Sequence, residues 1–211
     1  MKRSLTLLAL ACIGLGATSA LATTSLLSGN LLVIKNKLPD DETKNRIVCL
    51  ATGGQVTSPT AGGSGDPTCG AAGGGGGSIT FSSATSGQSF TSPLPCANWR
   101  AAKNGGYRYL DRQLDQGACK LVIIKQGKIL KTLCQGTGPT DLNYDLMPGQ
   151  SQTPVNVSLR VGSGPDLYCM SFGGKVLKSG DDGRTFLAKQ APAPVLQCSP
   201  SGAFLDGPQQ S

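Results

Sequence analysis

The chain has 211 residues, 19 lysines and arginines against 12 acidic residues, a formal net charge of +7 and no histidine. A length of this order suits one domain with a proper core. Without histidine a Ser-His-Asp hydrolase is excluded, and so is the commonest proton carrier at neutral pH. With no Cys-x-x-Cys pair either, no metal or other cofactor is expected. The basic excess is spread along the chain, with Lys120, Lys125, Lys128 and Lys131 as one local cluster, and aromatic residues make up only 5%. Nucleic acid is therefore not the expected partner. The lysines read as guards that keep exposed strands from pairing edge to edge.

Residues 1–22 read as a cleaved export signal: Lys2 and Arg3 begin it, Leu5 to Ala17 is largely apolar, and Ala20-Leu21-Ala22 is a small-x-small cleavage site. The apolar run falls short of the ~20 residues of a membrane span, and nothing later approaches it. Lipidation at Cys12 is the alternative, for which Ala9-Leu10-Ala11 is a poor match. The remainder, 23–211, is expected to be one secreted or periplasmic domain. Of eight cysteines, Cys12 leaves with the signal, and the seven that remain read as disulfides with one thiol over.

In chain order, Thr23 to Gly29 reads as a loose start, Asn30 to Lys35 as a strand and Leu38-Pro39-Asp40-Asp41 as a turn next to Glu42. Arg46 to Ala51 is a second strand, and Cys49 at its apolar centre is the candidate for the odd, buried thiol. The glycine-rich segment 53–77 has almost no apolar residue to bury and reads as a long surface loop. A phosphate cradle would need a helix after it, where a strand-like run follows instead. Ser78 to Ser83 and Gln88 to Leu94 form two short strands around Ser86-Gly87, stopped by Pro93 and Pro95. The only tryptophan, Trp99, follows this proline corner as a core plug or, alternatively, a sugar platform. Gly106 to Asp111 sets Tyr107 and Tyr109 on one face and Arg108 on the other.

Cys119 to Cys134, CKLVIIKQGKILKTLC, is one β-hairpin with Gln126-Gly127 as a two-residue turn. That register sets Lys125 opposite Lys128, Ile124 opposite Ile129 and Cys119 opposite Cys134, at a hydrogen-bonded pair with Cα atoms about 5.5 Å apart, within disulfide reach. It also turns Cys119, Leu121, Ile123, Leu130, Thr132 and Cys134, with the turn-proximal Lys125 and Lys128, toward the core, and sets Val122, Ile124, Ile129 and Leu133, interrupted by Lys120 and Lys131, on a partly covered second face.

Beyond the hairpin, Gly136 to Gln152 is polar and turn-rich. Asp141, Asn143 and Asp145 have the spacing of a calcium loop's first ligands but lack its glycine and its glutamate. Val155 to Val161 alternates cleanly, and Asp166 to Phe172 and Arg184 to Lys189 add strands before the extended Ala191-Pro192-Ala193-Pro194. Nine or ten short strands with turn signals between them predict an all-β fold: a two-sheet antiparallel sandwich of Greek-key or jelly-roll type, stapled by disulfides.

Gly65-Asp66-Pro67-Thr68, Asn98-Trp99, Gly106-Tyr107-Arg108-Tyr109, the lysine-bearing hairpin, Tyr168-Cys169 with Phe172-Gly173-Gly174, and the Ala-Pro-Ala-Pro tail together resemble a group of exported, β-rich bacterial modules of unknown function. The likeness runs from about Leu31 to Cys198 and implies no activity.

Besides Cys119–Cys134, the expected bridges are Cys169–Cys198, closing the tail onto the sheet, and Cys69–Cys96, tethering the glycine-rich loop to the proline corner. Cys49 competes for either partner of that last pair. Asp111 with Asp115, and Asp181 with Asp182, are close in sequence but lie among turn residues, where aspartate caps its own backbone. The expected function is thus a non-enzymatic structural or adhesive module with a surface glycan or protein as its partner. The alternative is a carbohydrate- or small-ligand-binding domain using Trp99, Tyr107 and Tyr109.

Overall fold

The computed structural model describes residues 24–36, 44–71, 73–136, 141–164, 167–195 and 198. Residues 1–22, read as an export signal with Cys12, the expected turn at 38–41 and Glu42 lie outside the described residues. Thirteen strands, numbered in chain order, form two sheets. The five-stranded sheet runs β1 (Thr24–Leu26), β11 (Leu167–Phe172), β10 (Val155–Val161), β4 (Gly77–Ser82) and β5 (Ser89–Pro93). The eight-stranded sheet runs β12 (Lys175–Ser179), β13 (Thr185–Ala191), β2 (Gly29–Lys35), β3 (Arg46–Thr52), β9 (Ile129–Gln135), β8 (Cys119–Lys125), β7 (Tyr107–Leu110) and β6 (Trp99–Ala101). All pairings are antiparallel except β1 on β11. Neither sheet closes, so this is the two-sheet, disulfide-stapled sandwich that the strand pattern predicts.

Period-two alternation builds the core. From β10, Val155, Val157, Leu159 and Val161 point inward, against Leu32 and Ile34 of β2 and Ile47, Cys49 and Ala51 of β3 in one continuous cluster. The Cys49 thiol meets the Met170 sulfur of β11 across the interior at 3.7 Å. Phe172 lies so close over Gly29 that a Cβ there would stand 2.4 Å from its ring, which explains the glycine at the start of β2. Two regions differ from the sequence reading. Residues 24–26 are not a loose start but a parallel edge strand. Within the stretch read as polar and turn-rich, Leu142, Tyr144 and Leu146 alternate into the core from an extended segment. The side chains follow the strand period there, although no ladder forms.

The hairpin also needs correction. The loop is Gln126-Gly127-Lys128, closed by a bond from Lys128 N to Lys125 O with Gly127 at φ 64°, so Lys125 pairs with Ile129 and Ile124 with Leu130. A bulge at Lys120 then places two residues opposite one and restores Cys119 to Cys134. Cys119, Leu130, Thr132 and Cys134 are buried as expected, but the face of β8 exchanges: Val122 and Ile124 are buried, while Leu121 and Ile123 look outward with Ile129, Lys131 and Leu133. The bulge also brings the two cysteine Cα atoms to 3.8 Å, nearer the close pair of an antiparallel ladder than the wide one.

Candidate functional site

The glycine-rich loop is held by one carboxylate. Asp66, 5% exposed, accepts N–H bonds from Gly62 (2.7 Å) and Thr68 (2.8 Å) and the Thr68 hydroxyl (2.7 Å). The Tyr107 hydroxyl of β7 completes the set. Burial raises the pKa of Asp66, but these four donors outweigh it and hold the group below the ordinary carboxylate range. Tyr107 is pushed up to about 12, first by burial and then by the charge of Asp66 and the bond to it. The loop is further tied by Gly76 N to Pro67 O, Gly162 N to Gly76 O, and the Cys69–Cys96 bridge. This cradle is filled by the chain's own backbone. Asp66 was visible only as part of a short motif in the sequence, since its tyrosine partner comes from a distant strand.

The aromatic trio belongs to the core. Trp99 and Tyr109 are fully buried and Tyr107 is 2% exposed, so no ring presents a face to a ligand. The Trp99 indole donates to Leu94 O at 3.1 Å, and its ring meets Tyr109 edge-on at 5.5 Å. The same three residues read from sequence as a possible platform are thus the plug at one end of the sandwich.

The cysteines pair as expected, Cys69–Cys96, Cys119–Cys134 and Cys169–Cys198, with Cys49 free. Burial pushes the Cys49 thiol far above its ordinary value, against a smaller lowering by the Leu50 backbone. The carboxylates cap turns: Asp111 accepts from the backbone N–H groups of Leu114 (2.9 Å) and Gln116 (3.0 Å), and Asp182 from Arg184 and Thr185 (2.8 Å each). Among the described residues no group of three or more His, Cys, Asp or Glu side chains could hold a metal ion. A shallow, mainly apolar groove of about 560 Å³ between Pro154, Gly173, Gly174 and the extended 192–195 is lined by no ionisable side chain.

The broadest feature is the outer face of the eight-stranded sheet. Register places Leu110, Leu121, Leu133, Val48, Val33 and Leu187 side by side across six neighbouring strands, β7 to β13, all half-exposed. The adjacent row mixes Leu31, Leu50 and Ile123 with Lys189, Lys131, Arg108 and Arg100. Every charged residue in the strands of this sheet is a lysine or arginine. Sequence reasoning saw one local lysine cluster, read as guards. The row became visible only once non-consecutive strands were in register.

No family model, curated protein or solved structure matches the chain. Among the described residues no helix is long and apolar enough to cross a membrane.

Proposed function

We propose that the protein is an exported, non-enzymatic structural or adhesive module that works by presenting a surface. The observation that carries this reading is that several of its chemically capable side chains are committed to structure. Asp66, Asp111 and Asp182 hold backbone N–H groups, six cysteines form bridges, Cys49 lies against Met170, and the aromatic trio fills the core. Export is supported by the three bridges, which persist in oxidising compartments, and by the pattern of residues 1–22.

The test is an activity panel of ester, peptide and glycoside substrates against the processed protein, beside its Asp66→Asn and Asp111→Asn variants. The expected result is no turnover by any of them. Reproducible turnover that one of these substitutions abolishes, with the circular-dichroism spectrum unchanged, contradicts the proposal.

A further inference from the structure

The outer face of the eight-stranded sheet combines two properties that call for one partner. Its apolar row crosses six strands, about 24 Å at the ~4.8 Å spacing of a sheet. On a solvated sheet face those positions would ordinarily be polar. Beside that row run Lys189, Lys131, Arg108 and Arg100, and no strand of the sheet contributes an acidic residue. Of the acids at the ends of its strands, Asp182 in the turn before β13 faces Lys178 and Arg184, and Asp111, directly after Leu110, is buried and turned onto the backbone N–H groups of Leu114 and Gln116.

Complementary chemistry narrows the occupant. A second copy of this face would set lysine and arginine against lysine and arginine, so symmetric sheet-on-sheet pairing is repelled. A soluble polyanion would answer the cations and leave the aliphatic row in water. A folded protein partner would ordinarily meet aromatic anchors at the centre of the patch and little lysine, because interfaces are enriched in Tyr, Trp and Phe and depleted in Lys. Here the aromatic side chains of β6 and β7, Trp99, Tyr107 and Tyr109, point inward, and the outer face offers Leu, Val and Ile ringed by Lys and Arg. Aliphatic groups to enter the boundary between headgroups and acyl chains, with cations to sit among phosphates, is the composition of a surface that lies on lipid.

We infer that the outer face of the eight-stranded sheet docks onto the surface of an anionic lipid bilayer, with the Leu110–Leu187 row against the acyl boundary and the flanking lysines and arginines on the phosphates. This rests on reading the protein as a surface-presenting module, and it names the partner class.

The experiment is co-sedimentation of the processed, oxidised protein with vesicles of phosphatidylcholine alone and of equimolar phosphatidylcholine and phosphatidylglycerol. Four variants accompany it: Lys131→Glu, Arg108→Glu, Leu121→Ser, and Ser89→Glu on the exposed side of β5 as the control. Binding to the phosphatidylglycerol vesicles only is expected, falling as salt rises. Each charge reversal should weaken it at least about fivefold, since one basic residue near an anionic surface is worth roughly that factor. Leu121→Ser should weaken it severalfold, and Ser89→Glu should not change it. The charge reversals lie on the surface and keep the test decisive if Leu121→Ser fails to fold. Equal binding to both vesicle types, no binding, or loss in Ser89→Glu overturns the inference. So does binding to heparin as tight as to vesicles and indifferent to Leu121→Ser, which would make the partner a soluble polyanion. A dimer in size-exclusion chromatography that Lys131→Glu dissolves also overturns it, in favour of self-association. Failure of these arms leaves the activity panel untouched, and turnover in that panel leaves the vesicle result untouched, so the two readings fail separately.

Discussion

Asp66 receives two backbone N–H groups and two hydroxyls, and through Tyr107 it fastens a glycine-rich loop to the eight-stranded sheet. Composition alone read this segment as a long surface loop with almost nothing to bury, and by burial that is correct: Val56 is a rare side chain in the loop to reach the core. Hydrogen bonds to a buried carboxylate supply what burial does not. Asp66→Ala should cost about 1.5–3 kcal/mol, the range for bonds to a charged acceptor, with amide exchange rising across 57–76 and hardly elsewhere. The pH dependence follows from the two shifts. Asp66 is depressed in the folded protein, so its contribution is complete above its ordinary value of 3.8 and is lost as pH falls through the folded value. Tyr107 is raised, so its contribution is complete below its ordinary value of 10.0 and is lost as pH climbs toward about 12. The protection factors of the loop amides, exchange rates divided out by those of the unfolded chain at the same pH, should therefore be highest between those limits and fall beyond each; a flat protection profile in the wild type contradicts the clamp. The aspartate stood in the sequence only within the short motif Gly65-Asp66-Pro67-Thr68, whereas the tyrosine that makes it a clamp read there as a possible ligand platform.

The hairpin of β8 and β9 shows how far strand periodicity reaches. Two apolar runs, a glycine and a cysteine at each end sufficed for the element and its bridge. The bulge at Lys120 was not legible, because its extra residue in β8 offsets the third loop residue, Lys128, so the ends stay aligned while everything between them shifts by one. The three short edge strands β1, β6 and β12 escaped for a different reason: three to five residues carry too little pattern to be seen without the strand they pair with. The bridges also differ in access. Cys69 is exposed and Cys96 half-exposed, while Cys119, Cys134, Cys169 and Cys198 are buried. Thiol exchange requires approach to the sulfur, so a titration with mild reductant should open Cys69–Cys96 first and the other two only with unfolding. Alkylation followed by peptide mapping reads the order. Early opening of Cys119–Cys134 would mean that the buried side of the hairpin is wrongly drawn.

Across the described residues the molecule is a disulfide-stapled frame with Trp99, Tyr107, Tyr109, Tyr144 and Cys49 inside and one wide basic, aliphatic surface outside. The two-sheet class was legible because alternation and turn spacing are local properties. The surface was not, since Val33, Val48, Leu133 and Leu121 become neighbours only when strands far apart in the chain are joined. That frame depends on three closures at once: the loop onto the proline corner, the hairpin onto itself and the tail onto β11. A non-reducing peptide map of the native protein, alkylated before and after denaturation, tests all three together. It should show Cys69–Cys96, Cys119–Cys134 and Cys169–Cys198 as cross-linked peptides, with Cys49 alkylated only after denaturation. Cys49 in any disulfide, or Cys49 alkylated in the native protein, would contradict the buried core on which the frame is built.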